Sequence, residues 1–173
     1  MIRQLVEAAA KRLPRRRILD PIHARPYLDR YYVAGAPGAL RAFPKNTRAV
    51  LGWLPFTVYL HHIRQSDWDR EALHDHPWDA VSLVLAGGYI EERLDGDRRG
   101  DFSIRARWRG AGTVARVGGE LFHRIELLAD TTAWTLFIVG RKRKTWSFFV
   151  PSWPKTVAWR DYIQWVADRR SQP

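Results

Sequence analysis

Apolar residues recur at helical spacing only near the two ends of the chain. In MIRQLVEAAAKRLP, Ile2, Leu5, Ala9 and Leu13 lie near a helical period with basic residues between them, and a proline then ends the pattern. This spacing predicts a short amphipathic N-terminal helix whose apolar side packs on the body of the protein or on a second subunit. Helical spacing returns in residues 153–170, WPKTVAWRDYIQWVADRR, and predicts a C-terminal helix that covers an edge or end of a sheet.

Between these two segments the apolar residues fall into short β-prone runs. The runs are residues 56–63, 80–94, 102–108, 112–117, 123–128, 132–140 and 145–151. Glycine, aspartate or charged turns separate them, and no helical pattern lies between them. The pattern therefore predicts an all-β antiparallel sandwich or barrel, with a jelly roll as the best fit.

The stretch from Asp20 to Pro55 is rich in proline, glycine and tyrosine and shows no sustained period. It predicts a long irregular lead-in to the sheet. The expected organisation is an N-terminal helix and lead-in over residues 1–55, a β-barrel over 56–151, and a C-terminal helical segment over 152–173 that packs on the barrel.

The amino-acid composition limits the class of protein and the possible metal ligands and nucleophiles. The 173 residues fit one domain, and the 46% hydrophobic content is typical of a globular protein. The absence of cysteine excludes disulfides, thiolate metal ligands and a cysteine nucleophile. No apolar stretch approaches the roughly 20 residues of a membrane span, and no secretory signal is evident. We therefore expect a cytoplasmic protein without a membrane partner.

The formal charge of +11 is carried mostly by arginine, with local runs at residues 15–17 and 141–144. Such a surface would attract nucleic acid, anionic lipid or an acidic small molecule. No nucleic-acid recognition motif accompanies the charge, so only electrostatics supports that partner. A small-molecule substrate is the expected partner, and a homodimer that uses the N-terminal segment is left open.

Two histidines stand two residues apart in EALHDHPWDAVSLVLAGGYIEE, residues 71–92. In a strand, residues i and i+2 point to the same side, so His74 and His76 can converge on one metal ion. The candidates for a third ligand are His23, His61, His62 and His123. His123 has the best context, because it follows a two-glycine turn and opens the strand HRIEL.

The stretches HDHPW…AGG and GGELFHRI resemble the two conserved stretches of the cupin superfamily. His74 and His76 match the first histidine pair, Gly87 matches its closing glycine, and His123 matches the histidine of the second stretch. The resemblance covers roughly residues 55–150. It implies a cupin-type double-stranded β-helix with a metal held by His74, His76 and His123.

The chain departs from the cupin pattern at the carboxylate ligand. Ala80 or Val81 occupies the position where most cupins carry a glutamate, and Leu127 stands where an asparagine is usual. Whether Asp79 or Glu120 is a fourth ligand stays open, although Asp79 has the opposite strand parity. The remaining three-histidine site resembles that of the thiol dioxygenase branch, where three histidines hold iron(II).

The resemblance implies a mononuclear iron(II) oxygenase that acts on a small anionic or thiol-containing substrate. Three imidazoles also suit zinc or nickel, and manganese is a further candidate. A site without a carboxylate is more cationic, which favours an anionic substrate donor. Two alternatives remain, a cupin-type sugar epimerase or isomerase and a nonenzymatic protein that binds a metal or small ligand.

Other side chains near the predicted strands are candidates for catalysis or substrate binding. We predict catalytic roles for His62 and Tyr89, and substrate-binding roles for Arg64, Tyr59 and Trp78. His61 and His62 are adjacent, so only one of them faces the interior of a sheet. Arg64 shares parity with His62, and the sequence does not settle which of the two histidines faces inward.

Overall fold

The computed structural model describes residues 1–35, 54–97, 100–153 and 155–170. Within these ranges the helices are α1 (Ile2–Ala10) and α2 (Trp159–Arg170). The strands are β1 (Arg15–Leu19), β2 (Pro26–Ala34), β3 (Thr57–Ile63), β4 (Leu73–His74), β5 (Ala80–Ala86), β6 (Gly88–Gly96), β7 (Phe102–Gly110), β8 (Val114–Val117), β9 (His123–Glu126), β10 (Ala133–Val139), β11 (Ser147–Val150) and β12 (Lys155–Ala158). The prediction of an all-β fold with two terminal helices is confirmed.

The strands form two sheets of six strands each. One sheet has the order β1-β2-β3-β10-β5-β8, and the other has the order β12-β11-β4-β9-β6-β7. All the strand pairs in the described ranges are antiparallel. The chain crosses from one sheet to the other between β3 and β4, between β4 and β5, and between β5 and β6. Such crossings are typical of a jelly roll.

The predicted run over residues 80–94 is two strands that belong to different sheets. Gly87 separates β5 from β6 and has a φ of 73°, a conformation that side-chain-bearing residues rarely adopt. A Cβ added at Gly87 would lie 2.0 Å from the carbonyl oxygen of Thr132. Glycine is therefore needed here for both its backbone freedom and its small size, and the break carries the chain from one sheet to the other.

The prediction of an irregular lead-in is wrong over β2. This segment is a regular strand of nine residues, and it pairs with β3 in register from Leu28 opposite Ile63. The apolar alternation of β2 was obscured because Asp29 and Arg30 place charged groups on both of its faces. Residues 36–53 of the predicted lead-in lie outside the described residues.

The C-terminal segment begins with a strand rather than a helix. β12 pairs with β11, with Val157 opposite Phe148, and helix α2 starts only at Trp159. Val157 therefore belongs to the sheet, whereas Tyr162 and the residues after it follow the predicted helical spacing. Tyr162 is buried against Phe148, so α2 packs on the β11 end of its sheet.

Helix α1 covers the outer face of the sheet that contains β3. Its buried residue Ala10 packs with Leu60 and Trp134, and Val6 contacts the same cluster. Of the predicted apolar side only Leu13 joins this cluster, whereas Ile2 and Leu5 are 58% and 65% exposed, so the predicted packing side is wrong for these two residues. Because α1 lies on the outer face, the inner face of this sheet is directed toward the other sheet. Neither described helix has the length and apolar character needed to cross a membrane.

Candidate metal centre

Three histidines converge between the two sheets. His74 ends β4, His76 follows two residues later, and His123 begins β9, where it pairs directly opposite His74. One ring nitrogen from each histidine lies within 4.8 Å of the other two. The closest pair is His76 Nε2 and His123 Nε2, which are 2.8 Å apart. The structure thus brings together all three residues predicted as metal ligands.

Burial keeps the rings of His74 and His76 in the neutral form that binds a metal ion. Burial lowers the pKa of His74 to about 4 and lowers the pKa of His76 well below its usual value. A metal ion binds the lone pair of a neutral imidazole, so protons compete with the ion. At neutral pH His74 and His76 therefore offer their lone pairs without first losing a proton.

Glu91 fixes the orientation of His123. This carboxylate in β6 is almost fully buried, and its Oε1 accepts a hydrogen bond of 2.9 Å from His123 Nδ1. Burial opposes ionisation of Glu91, but hydrogen bonds from His123 and Arg93 outweigh burial and lower its pKa to about 2. An ionised carboxylate can only accept, so His123 carries its proton on Nδ1 and leaves Nε2 for an ion.

Asp67 has a similar position beside His74. Its Oδ2 lies 3.5 Å from His74 Nδ1 and accepts the backbone N–H of Ile125 at 2.6 Å. Its Oδ1 accepts the hydroxyl of Tyr27 at 2.5 Å. These bonds hold the carboxylate in place, and its charge favours a proton on the near nitrogen of His74. The Nε2 atom of His74 then remains for a metal.

A cavity of about 320 Å³ opens beside the three histidines. Its apolar wall includes Ile63, Phe137, Trp146 and Phe148. Its polar wall includes Arg30, His61, Ser82, Tyr89 and Thr135. Sites of this size and mixed lining suit a small molecule that is largely enclosed by the protein.

The two open candidates for a fourth ligand are engaged elsewhere. Asp79 accepts the backbone N–H of Gly119 at 2.9 Å, and its carboxylate also faces Arg143. The side chain of Glu120 is 73% exposed and pairs with Lys144. Neither carboxylate belongs to the described group of three histidines. The donor set of the site is therefore three imidazoles.

Four of the five remaining predicted site residues divide into two groups, one in the cavity wall and one outside it. Tyr89 and Trp78 line the cavity. His62 stacks on Trp134 outside it, with ring centroids 4.2 Å apart, and Arg64 pairs with Asp29 at 3.1 Å on that outer side.

Tyr59 points inward but is not part of the cavity wall. Its ring stacks on His61 and lies under the guanidinium of Arg30, with 4.7 Å between the Arg30 carbon and the ring centroid. The functional roles assigned to Tyr59 and the other four residues stay predictions.

Sequence reasoning missed Glu91, Asp67 and Arg30. Glu91 has the strand parity of Tyr89, so alternation carried a signal, but the adjacent Glu92 made the pair resemble a solvated surface. Asp67 precedes β4 in a segment with no regular period. Arg30 lies in β2, which was not predicted as a strand.

The donor set fits a divalent transition metal. Three neutral imidazoles suit iron(II), zinc or nickel, and fewer than four protein ligands leave room for a substrate atom. A carboxylate hydrogen-bonds one of the rings and a second carboxylate lies 3.5 Å from another, an arrangement common around metal-binding histidines. The observation that carries this assignment is the convergence of three ring nitrogens within 4.8 Å, one from a buried histidine and two from half-buried ones.

No protein-family model and no curated protein matches the sequence. Among solved structures, the chain is similar to one of the DMSP lyases RdDddP and RnDddQII, with 15% identity and a TM-score of 0.54 over 80% of this chain and 62% of that chain. It is also similar to Fe(II)-HppE with the alternative substrate (S)-1-HPP, with 13% identity and a TM-score of 0.50 over 76% of this chain and 57% of that one. A third similar structure is a cupin 2 conserved barrel domain protein from Rhodopseudomonas palustris, at 9% identity and a TM-score of 0.49 over 72% of this chain and 68% of that chain. The chain spans less than two thirds of the first two chains, and at these identities the likeness to those two shows the fold alone.

Proposed function

The chain has the cupin fold, and on that premise we propose that it is a metal-dependent enzyme. The most concrete form of the proposal is a mononuclear iron(II) oxygenase that acts on a small anionic or thiol-containing substrate. The convergence of His74, His76 and His123 beside a cavity of about 320 Å³ supports this proposal most strongly. The similarity to Fe(II)-HppE supports iron as the metal.

The metal would be held by His74, His76 and His123. Bound iron(II) would supply the redox chemistry that lets molecular oxygen react with an organic substrate. Glu91 keeps the His123 ring oriented through a hydrogen bond, and Asp67 lies beside His74.

The charge of the donor set favours an anionic substrate. Three neutral histidines leave the full charge of a divalent ion uncompensated, whereas a carboxylate ligand would reduce it. A thiolate or carboxylate of the substrate can supply the missing negative charge. The apolar part of the cavity wall excludes water around that group and strengthens the attraction.

Oxygen consumption with a panel of small thiols tests the proposed reaction. The iron-loaded wild-type protein is expected to consume oxygen and convert one thiol to its sulfinate, which retains both atoms of O2 and requires no added reductant. His123→Ala removes a ligand and is expected to abolish uptake, whereas His23→Ala changes a histidine outside the cavity and is expected to retain it. Absence of uptake by the iron-loaded wild type with every thiol would contradict the thiol oxygenase.

A further inference from the structure

Arg30 is a charged residue of the cavity wall with no acidic partner. All 18 Asp and Glu residues of the chain lie within the described ranges, and none of their side chains forms an ion pair with Arg30. Burial lowers the pKa of Arg30, but a guanidinium stays protonated in proteins. The cavity therefore contains a positive charge that no protein carboxylate neutralises.

The guanidinium is held in a defined orientation. Its Nε–H donates to His61 Nε2 at 3.1 Å, and its plane lies near the ring of Tyr59. In the part of the chain that the structure describes, the two terminal NH2 groups of Arg30 form no hydrogen bond or ion pair. Because Nε is already engaged, these two groups are the donors left for an acceptor in the cavity.

A second unused polar group lies on the same wall. Strand register places Arg30 opposite His61, and His61 opposite Thr135, so the three residues form a row across β2, β3 and β10. All three line the cavity. Thr135 is 1% exposed, and its Oγ1 has no hydrogen-bond partner among the described residues. A buried hydroxyl without a partner is uncommon and costs free energy unless a ligand or water satisfies it.

The acidic residues of the cavity are already engaged. Asp67 accepts bonds from Tyr27 and Ile125, and Asp69 accepts the hydroxyl of Tyr162 and the backbone N–H of Glu71. Both lie in the segment between β3 and β4, and neither belongs to the row with Arg30. Among the described residues of the cavity wall, donors left unused therefore include the NH2 groups of Arg30, the hydroxyl of Thr135 and the indole N–H of Trp78. All three groups can donate to an oxyanion.

We propose that Arg30 and Thr135 form a subsite for an oxyanion of the substrate, with His61 as the positioning residue for Arg30. The subsite rests on the proposed function, because it selects substrates that carry a carboxylate, sulfonate or phosphonate in addition to the group that meets the metal. The cavity volume of about 320 Å³ limits such a substrate to a small molecule.

Three small thiols that differ in their second group test this subsite. Binding of mercaptoacetate, mercaptoethanesulfonate and mercaptoethanol to the iron(II)-loaded protein is measured by calorimetry without oxygen. Wild type is expected to bind at least one of the two anionic thiols about tenfold more tightly than mercaptoethanol, as a charge-assisted hydrogen bond would produce. Which of the two is preferred distinguishes a carboxylate from a sulfonate substrate.

Two variants assign that preference to the subsite. Arg30→Met is expected to remove it by weakening only the anionic thiols, whereas Arg17→Met changes an arginine paired with Asp29 on the outer face and is expected to retain it. Thr135→Val removes only the hydroxyl and is expected to reduce the preference by less. It tests the same subsite if Arg30→Met does not fold.

Two results would overturn the subsite. One is that wild type binds mercaptoethanol as tightly as the anionic thiols, or binds none of them. The other is a preference that survives both Arg30→Met and Thr135→Val. Binding without oxygen separates the two proposals, since a protein that selects anionic thiols but consumes no oxygen would contradict the oxygenase alone. A protein that consumes oxygen with charged and neutral thiols equally would contradict the subsite alone.

Discussion

The two faces of strand β3 carry adjacent histidines in opposite surroundings. His61 faces the cavity, where it accepts a hydrogen bond from Arg30. His62 faces outward and lies almost parallel to the ring of Trp134, with an interplanar angle of 5°. The same residue type therefore borders a site on one face and supports packing on the other, and strand parity alone separates the two.

The space between the sheets and the outer side of the β3 sheet also contain buried carboxylates with similar partners. Glu91 on the inside and Asp29 on the outside are almost fully buried, and each is paired with two arginines. Glu91 also accepts a hydrogen bond from His123, whereas Asp29 contacts no member of the histidine group. A buried ion pair therefore points to a site only where it also contacts a group with unused chemistry.

The largest expected effect follows substitution of Glu91. Glu91→Gln keeps the size of the side chain but removes the charge that compensates Arg93, Arg109 and the Nδ1–H of His123. We expect metal affinity to fall about 10- to 100-fold and the free energy of unfolding to fall by about 3–5 kcal/mol. Metal titration and chemical denaturation of the metal-free protein measure the two effects separately.

Unchanged metal affinity in folded Glu91→Gln would show that the carboxylate does not support the metal site. The equivalent change on the outer face, Asp29→Asn, provides the matched control. It is expected to destabilise the fold by about 1.5–3 kcal/mol, since it weakens charged hydrogen bonds, and to leave metal affinity unchanged. A loss of metal affinity in Asp29→Asn equal to that in Glu91→Gln would remove the distinction between the faces.

A smaller effect is expected for His62. His62→Ala removes a stacked ring pair, which costs about 0.5–1.5 kcal/mol of stability by analogy with aromatic pairs. Oxygen consumption by the iron-loaded protein is expected to persist, because the ring lies outside the cavity. Loss of uptake in a folded His62→Ala protein would instead support the catalytic role predicted from the sequence.

The smallest expected effect is on the pH dependence of the stability of the metal-free protein. Burial lowers the pKa of His62 below the usual 6.5, so the unfolded chain takes up the proton first as the pH falls. Stability associated with the neutral ring is therefore complete above pH 6.5 and is lost as the pH falls through the folded-state pKa. Melting temperatures of the metal-free wild type and His62→Phe, measured between about pH 7.5 and 5, are expected to diverge, with the larger decrease in wild type. Parallel decreases would contradict a lowered pKa at His62.

The sequence predicts most of the sheet strands because one face of each is apolar. The alternation in residues 56–63 and 132–140 corresponds to β3 and β10 in the structure. β2 was missed because Asp29 and Arg30 place charged groups on both of its faces. Asp29 is compensated by two arginines and Arg30 donates to His61, and only the fold brings these partners near. β4 was missed because a pairing of two residues is too short to produce a period.

The candidate metal ligands could be predicted because few residue types can bind a transition metal. Imidazole spacing and the glycine turns point to His74, His76 and His123 without knowledge of strand register. The residues around them could not be predicted in the same way. Whether Glu91 meets His123, or Arg30 meets His61, depends on which strands are neighbours and how they align.

The most direct test of the metal centre is elemental analysis of protein purified without added metal, compared between wild type and a His74→Ala, His123→Ala double variant. His23→Ala serves as the control for loss of a histidine away from the cavity. The wild type and His23→Ala are expected to contain close to one divalent metal ion per chain, and the folded double variant is expected to contain almost none. Equal, negligible metal in wild type and the double variant would contradict the three-histidine metal centre on which the account depends.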